Sequence, residues 1–277
     1  MKPLALVIEN DGSTRKLLDV LLTRSGLEVD LVPTGSDALI LLENARYDLV
    51  LIDLLLPGTS GVQVLEWIER ERPATLAKAV VLSSAPQAHL QRVRDRWPQV
   101  RVIRKPFELG EVVETAQELT ANRDERLPSF GEDFCRRSVR AGARAGVIVT
   151  TRGQHVDALL AYGYQPGEVA SYFPLAVDAP LPLCAAIRNA RPVWLASVTV
   201  ASTEYPLLTP VFEKNESRAL AVVPLVRGSQ VVGAVGWSFR EPKLFTESEQ
   251  QHFLAIAATL AEGFPDAPHQ SVAAAEA

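Results

Sequence analysis

Four apolar residues, Leu49-Val50-Leu51-Ile52, run straight into the carboxylate of Asp53, and Leu54-Leu55-Leu56-Pro57-Gly58 then turns the chain away. The run is too short and too rich in β-branched residues for a helix. Apolar strands of this kind, alternating with amphipathic helices, read as the buried strands of a parallel α/β sheet. In such sheets functional residues lie at the carboxyl ends of the strands, and Asp53 falls there. A carboxylate so placed is costly unless it binds a cation or does chemistry. The rest of the chain must supply its partners.

The flanking segments repeat the pattern. Residues 4–8 form a first apolar strand, followed by Glu9-Asn10-Asp11. Gly12-Ser13-Thr14 reads as a turn and helix cap, and Leu17, Leu18, Leu21 and Leu22 mark a helical stripe that Gly26 ends. A second strand is expected at 28–33, then a helix capped by Ser36 and carrying Ala38, Leu39, Leu41 and Leu42. After the Asp53 strand, Val62, Leu65 and Ile68 predict a third helix that Pro73 stops. Residues 79–82 predict a strand ending in Ser83-Ser84, and a basic helix with Arg92, Arg94 and Arg96 follows, read as a solvated face. A fifth strand at 100–104 ends in Lys105-Pro106, and Leu109, Val112, Val113 and Ala116 line a last helix. Five strands alternating with five helices predict an α/β doubly wound, five-stranded parallel sheet.

Composition bounds what such a chain can do. Its 277 residues, 47% hydrophobic and 22% charged, leave room for two domains. A net charge of −5 argues against direct binding of nucleic acid through phosphates. No segment approaches the roughly 18 uninterrupted apolar residues of a membrane span, and the N-terminus reads as a strand, not as a signal peptide. Two cysteines, Cys135 and Cys184, suggest neither a disulfide framework nor a cysteine-based zinc site. A cytoplasmic protein is expected.

The strand ends bring together Glu9-Asn10-Asp11, Asp53, Ser83 and Lys105. Acidic oxygens, a hydroxyl and an ammonium around one carboxylate suit a hard cation and a phosphoryl group. On these four ordered elements the N-terminal part, residues 1–121, resembles the receiver domain of bacterial two-component response regulators, with a flavodoxin-like fold. The resemblance implies that Asp53 is the phosphoacceptor, taking its phosphoryl group from a sensor histidine kinase or a phosphotransfer protein. It implies that Asn10, Asp53 and the backbone carbonyl of Leu55 hold Mg²⁺, with Glu9 assisting through water. Ser83 and Lys105 would then bind the phosphoryl oxygens.

Two positions depart from the family pattern. Asn10 stands where a second carboxylate is usual, which removes one negative charge and should weaken Mg²⁺ binding. Asp11 would compensate only by reaching inward. Val102, three residues before Lys105, stands where a switching Tyr or Phe is common, so an aromatic switch is absent or rebuilt from other residues. A second reading follows from these departures: a degenerate, unphosphorylated receiver serving as a dimerisation scaffold for a ligand-binding sensor.

Residues 122–129, Asn-Arg-Asp-Glu-Arg-Leu-Pro-Ser, read as a charged linker closed by proline. Beyond it the rhythm changes. A helix is expected over 134–143, a hairpin from 146–151 and 156–162 turning on residues 152–155, and short helices at 166–173 and 181–189. A brief strand at 192–196 and a proline-broken helix at 204–216 follow. Residues 219–226 and 230–239 predict a second hairpin turning on Arg227-Gly228-Ser229. Thr246 and Glu249 have capping-box spacing, ahead of a helix lined by Phe253, Ile256, Ala257 and Leu260. These elements predict an α+β domain with an antiparallel sheet over 130–264, and a disordered tail at 265–277.

The segments Arg218-Ala219-Leu220-Ala221-Val222-Val223-Pro224-Leu225 and Val231-Val232-Gly233-Ala234-Val235-Gly236-Trp237-Ser238-Phe239 resemble a GAF domain. Ala190-Arg191-Pro192-Val193-Trp194-Leu195 and Phe245-Thr246 fit the same pattern. GAF domains share a fold and differ in role, binding nucleotides, tetrapyrroles or metabolites, or simply dimerising. No cysteine–histidine pair for a bilin is present. Cys184 and Cys135 read as buried small side chains, His155 as a solvated turn residue, and Trp194, Tyr205 and Trp237 as core. No nucleophile–base pair is readable, so no enzyme is expected. The whole chain reads as a homodimeric response regulator whose GAF domain is an output, sensing or dimerisation module.

Overall fold

The computed structural model describes residues 2–121, 129–165 and 167–264. The chain divides into two compact units, Met1–Pro128 and Ser129–Ala277. The expected linker, apart from Ser129, and the expected disordered tail at 265–277 lie outside the described residues. Ser129 itself opens a helix of the second unit.

In the first unit, β1 (Leu4–Ile8), β2 (Glu28–Val32), β3 (Leu49–Ile52), β4 (Ala79–Ser83) and β5 (Arg101–Arg104) form an all-parallel sheet in the order β2-β1-β3-β4-β5. The strands are connected by α1 (Gly12–Arg24), α2 (Gly35–Asn44), α3 (Gly61–Glu71) and α4 (Gln87–Arg96), and α5 (Leu109–Thr120) follows β5. All four residues of β3 are buried, because β1 and β4 flank it and helices cover both faces. Strand order reverses between β1 and β3, so a crevice opens at their carboxyl ends. The doubly wound expectation holds.

Local details differ where a cap or a helical phase was at stake. Asp11 caps α1, its carboxylate accepting the Thr14 N–H at 2.7 Å, so the expected turn at Gly12-Ser13-Thr14 is already helix. Thr34 caps α2 by accepting the Asp37 N–H, whereas Ser36 lies inside the helix with its hydroxyl 3.1 Å from that of Thr59. Helix α3 buries Gly61, Val64, Leu65 and Ile68. Leu65 and Ile68 face the core as expected, whereas Val62 is half-buried and Val64 takes its place. Leu109 stays 44% exposed on the first turn of α5, while Val112 and Ala116 face the core. The expected solvated face of α4 is interrupted at Arg96, which binds Glu66 at 2.7 Å and Glu69 at 2.9 Å on α3.

The second unit contains β6 (Ala145–Arg152), β7 (His155–Tyr162), β8 (Leu175–Ala176), β9 (Val193–Leu195), β10 (Ala219–Arg227) and β11 (Gln230–Phe239), an antiparallel sheet in the order β8-β7-β6-β11-β10-β9. Its helices are α6 (Phe130–Arg140), α7 (Pro182–Asn189), α8 (Val198–Glu204), α9 (Thr209–Lys214) and α10 (Glu247–Glu262). Both expected hairpins are present, with Gly153 at φ 60° and Gly228 at φ 63° supplying the left-handed turn positions. The proline-broken helix expected at 204–216 is present as a 3-10 turn, Pro206–Leu208, followed by α9, and it is preceded by α8, which Ser197 starts by capping Val200. Proline lacks the N–H that continuing α8 would need. The short helix expected at 166–173 is a 3-10 turn, Val169–Tyr172.

Each face of this sheet is covered. Val147, Val149, Val222 and Ala234 pack with Cys184, Ala186 and Ile187 of α7. On the other face Trp237 is fully buried, its indole N–H donating to Ser138 Oγ on α6 at 2.7 Å. Phe253 of α10 has its ring centroid 5.0 Å from that of Trp237 and 5.7 Å from that of Phe239. Gly146 is required here, since a Cβ would lie 2.6 Å from the Tyr162 ring and 2.8 Å from that of Phe134.

The start of α10 carries a pH-dependent element. Thr246 and Glu249 form a capping box, and Lys243 Nζ donates to Glu249 Oε1 at 2.5 Å. The hydrogen bond from Lys243, followed by the Thr246 N–H, lowers the Glu249 pKa from 4.5 to about 2. A carboxyl lowered on folding stabilises above its unfolded value, and that contribution fades as pH falls through the folded value. Glu249→Gln keeps the capping acceptor but removes the charge. Its unfolding midpoint is therefore expected to lie below that of the parent at neutral pH and to converge with it between pH 4.5 and about 2. Urea unfolding across this range measures it, and a constant gap would contradict the assignment.

Candidate functional site

The site is built at the carboxyl ends of β1, β3, β4 and β5. Asp53 follows β3 and is 6% exposed. Its Oδ1 accepts the Ser83 hydroxyl at 2.7 Å and the Leu55 N–H at 3.0 Å; its Oδ2 accepts Lys105 Nζ at 2.7 Å. Ser83 is fully buried at the end of β4, and its Oγ also accepts the Ala85 N–H at 3.3 Å. Both oxygens of one buried carboxylate are thus held by donors at the ends of β4 and β5. The parallel register aligns these strand ends, which are more than twenty residues apart in the chain.

Glu9 is the second buried carboxylate, 2% exposed. Lys105 Nζ donates to its Oε2 at 2.5 Å, so one ammonium bridges Glu9 and Asp53. Burial opposes the charge on Lys105, but the hydrogen bonds to Asp53 and Glu9 and their negative charges outweigh it and raise its pKa. The other Glu9 oxygen accepts the Asp11 N–H at 3.0 Å. Arg15 of α1 fastens this loop by donating to the carbonyls of Glu9 at 2.6 Å and Asn10 at 3.2 Å. Nothing in local periodicity marks Arg15 for that task, because its partners are main-chain atoms five and six residues back.

The structure brings Glu9, Asp53, Ser83 and Lys105 together. Asn10 is exposed beside them, and Asp11 is exposed and turned to its capping role, so it does not replace the carboxylate absent at position 10. The Leu55 side chain is 52% exposed while its N–H faces Asp53. The donor set is oxygen only, with two buried carboxylates, and this fits a hard divalent cation. Val102 is half-buried on β5.

In the second unit the residues singled out earlier are dispersed. Cys135 and Cys184 are buried, and the Cys184 thiol donates to the Ala176 carbonyl at 3.4 Å while burial raises its pKa. His155 is exposed at the end of the first hairpin. Trp194 packs against Phe245, with ring centroids 5.3 Å apart, and Tyr205 packs in a small cluster with Leu195 and Phe212. Among the described residues no group of three or more His, Cys, Asp or Glu side chains forms a metal cluster.

Comparison with known proteins gives the same division. A family model described as the response regulator receiver domain matches residues 5–117, and one described as the GAF domain matches residues 124–264. The transcriptional regulatory protein ResD of Bacillus subtilis is 34% identical over 109 residues, covering 39% of this chain and 44% of that protein. AfsQ1 of Streptomyces coelicolor is 29% identical over 175 residues, covering 61% of this chain and 75% of its own length. PfeR of Pseudomonas aeruginosa is 34% identical over 134 residues, covering 46% and 41% respectively. The chain therefore spans less than half the length of ResD and of PfeR. Among solved structures, a response regulator receiver domain protein from Methanospirillum hungatei is similar with a TM-score of 0.40 and 21% identity, over 44% of this chain and 95% of that one. With the acidic hub and the parallel sheet already in place, the two family models establish that the chain carries a response regulator receiver domain followed by a GAF domain, and belongs to the GAF family through the second.

Proposed function

We propose that this protein is a phosphorylation-switched component of two-component signalling, with Asp53 as its phosphoacceptor. The observation that carries the reading is the buried Asp53 carboxylate held by a hydroxyl and an ammonium, each at 2.7 Å. An Asp53 oxygen attacks the phosphorus of a phosphohistidine on a sensor histidine kinase or phosphotransfer protein. The new acyl-phosphate O–P bond forms as the P–N bond breaks, and the imidazole leaves and takes up a proton. Glu9, Asn10, Asp53 and the Leu55 carbonyl would hold Mg²⁺, which when bound offsets the charge between the incoming phosphoryl oxygens and the carboxylates. Asn10 supplies an amide oxygen where a carboxylate would add charge, so binding of the ion is expected to be weak.

Phosphorylation adds about −1.5 to −2 charge and three acceptor oxygens. Ser83 and Lys105, already on Asp53, would turn to those oxygens. The Ser83 hydroxyl also takes the Ala85 N–H, so its movement reaches the segment between β4 and α4. This is the route by which the state of Asp53 biases the receiver surface where Val102 offers no aromatic switch. The GAF unit then serves as the output, sensing or dimerisation module of a cytoplasmic homodimer. The protein acts as a switch and not as a metabolic enzyme. Among the described residues no helix is long and apolar enough to cross a membrane.

Intact mass after incubation with Mg²⁺ and acetyl phosphate tests the reading. One added phosphoryl group in the parent protein, absent from Asp53→Ala, is expected. A parent protein that remains unmodified both with this donor and with phosphorylated histidine kinases would defeat it.

A further inference from the structure

The receiver unit contains a cavity of about 730 Å³ that the phosphoacceptor reading leaves unused. It lies between α3, α4 and the segments following β3 and β4. Leu54, Val62, Ala85, Val93 and the ring of Trp97 give it an apolar interior. Its volume falls in the range of small-molecule sites, about 300 to 1,000 Å³.

The polar groups around it are unbalanced. Asp95, the one carboxylate of the lining, already accepts a hydrogen bond from Gln91 at 2.8 Å. Arg96 is engaged by Glu66 and Glu69 and stacks on Trp97, its guanidinium carbon 4.4 Å from the ring centroid. Arg92 and His89 also line the cavity as exposed side chains, and neither has a hydrogen bond or ion pair among the described residues. Trp97 is 2% exposed, and its indole N–H is buried without an acceptor. The indole N–H is closed off from solvent, so the charge open to an occupant of the cavity is that of Arg92.

We propose that this cavity is a second ligand site of the receiver and takes a small amphipathic anion, an aromatic or branched apolar body bearing one carboxylate. The apolar body fills the space beside the Trp97 ring, and the carboxylate pairs with Arg92. Leu54 and Leu55, which line the cavity, follow Asp53 directly, so an occupant touches the segment that holds the phosphoacceptor. The binding itself does not depend on phosphorylation.

The test uses the unphosphorylated full chain, labelled with ¹⁵N, and 2-naphthoate as probe. The chain has four tryptophans, and the Trp97→Phe spectrum assigns the Trp97 indole resonance by its loss. That resonance is expected to shift saturably with a dissociation constant below about 1 mM. Arg92→Ala, on the exposed flank of α4, is expected to weaken binding about tenfold, as loss of one charge-assisted contact predicts. Neutral 2-naphthamide should bind more weakly by a similar factor. The Trp237 resonance should not move, which separates this site from the GAF unit. A Trp97 signal that stays fixed up to the solubility limit of the probe would overturn the proposal. So would equal affinity of the acid and the amide for both the parent and Arg92→Ala.

Discussion

Lys105→Met is expected to destabilise the receiver by about 3 kcal/mol, the scale for removing one partner of a buried ion pair. Among the described residues the lysine is the single bridge between Glu9 and Asp53, whose side chains are 3% and 7% exposed. Methionine fills much of the same space but leaves two buried carboxylates with their charge unmet. The remaining donors, the Ser83 hydroxyl and the N–H groups of Leu55 and Asp11, are neutral. Their bonds to the carboxylates satisfy lone pairs but bring no opposite charge to offset the two ions. Adding Asp53→Asn to Lys105→Met should recover more than half of the loss, because only one buried charge then remains. Hydrogen exchange of β1 and β3 amides measures both effects without interference from the GAF unit. A cost below about 1 kcal/mol would mean that solvent, not Lys105, neutralises the pair.

Gly61→Ala is expected to cost about 2 to 3 kcal/mol and to impair phosphoryl transfer together with stability. Gly61 opens α3 and donates its N–H to the Leu54 carbonyl at 3.2 Å. A Cβ on it would lie 2.2 Å from the Asp53 carbonyl oxygen and 2.8 Å from Leu54 Cα. These are backbone atoms, so the phosphoacceptor segment itself must move. A displacement of about 1 Å in a reacting group can cost on the order of a hundredfold in rate. Gly58→Ala provides the contrast: Gly58 has φ +70° with open space around it, so alanine there costs only left-handed strain, about 1 to 2 kcal/mol. Denaturation midpoints and rates of acetyl phosphate labelling for the two variants separate crowding from strain. Equal labelling rates would show that the segment absorbs the added methyl without moving Asp53.

These two positions also mark how far a reading of the chain reaches. Asp53 was legible from the apolar run that precedes it, and Lys105 from its place before a proline at the end of a strand. The capping boxes at Ser60–Gln63, Ser129–Glu132 and Thr246–Glu249 are local, yet in the sequence only the last stands out as a helix start. Ser129 falls instead at the end of the charged, proline-closed stretch that reads as a linker. Helical phase was harder: Val62 and Val64 are both apolar, and either can begin a stripe. Only tertiary packing chooses Val64 for the core and leaves Val62 beside the cavity.

What the chain determined by itself is the set of properties that depend on neighbours within a few residues. Run length and β-branching specify strands, three- and four-residue spacing specifies helices, and glycine at φ > 0 specifies the hairpin turns. Alternation of strand and helix then leaves essentially one hand for each crossover, which is why the parallel sheet and its functional edge were foreseeable. The tertiary structure decided which donors share a carboxylate. Glu9 and Lys105 meet across 96 residues, Asp11 turns outward to cap α1, and Trp97 comes to rest against a cavity with its indole N–H unanswered. The physical reason is one of range. Backbone propensities act between near neighbours, whereas the position of a buried charge is set by strand register and by the packing of helices that the local chain does not encode.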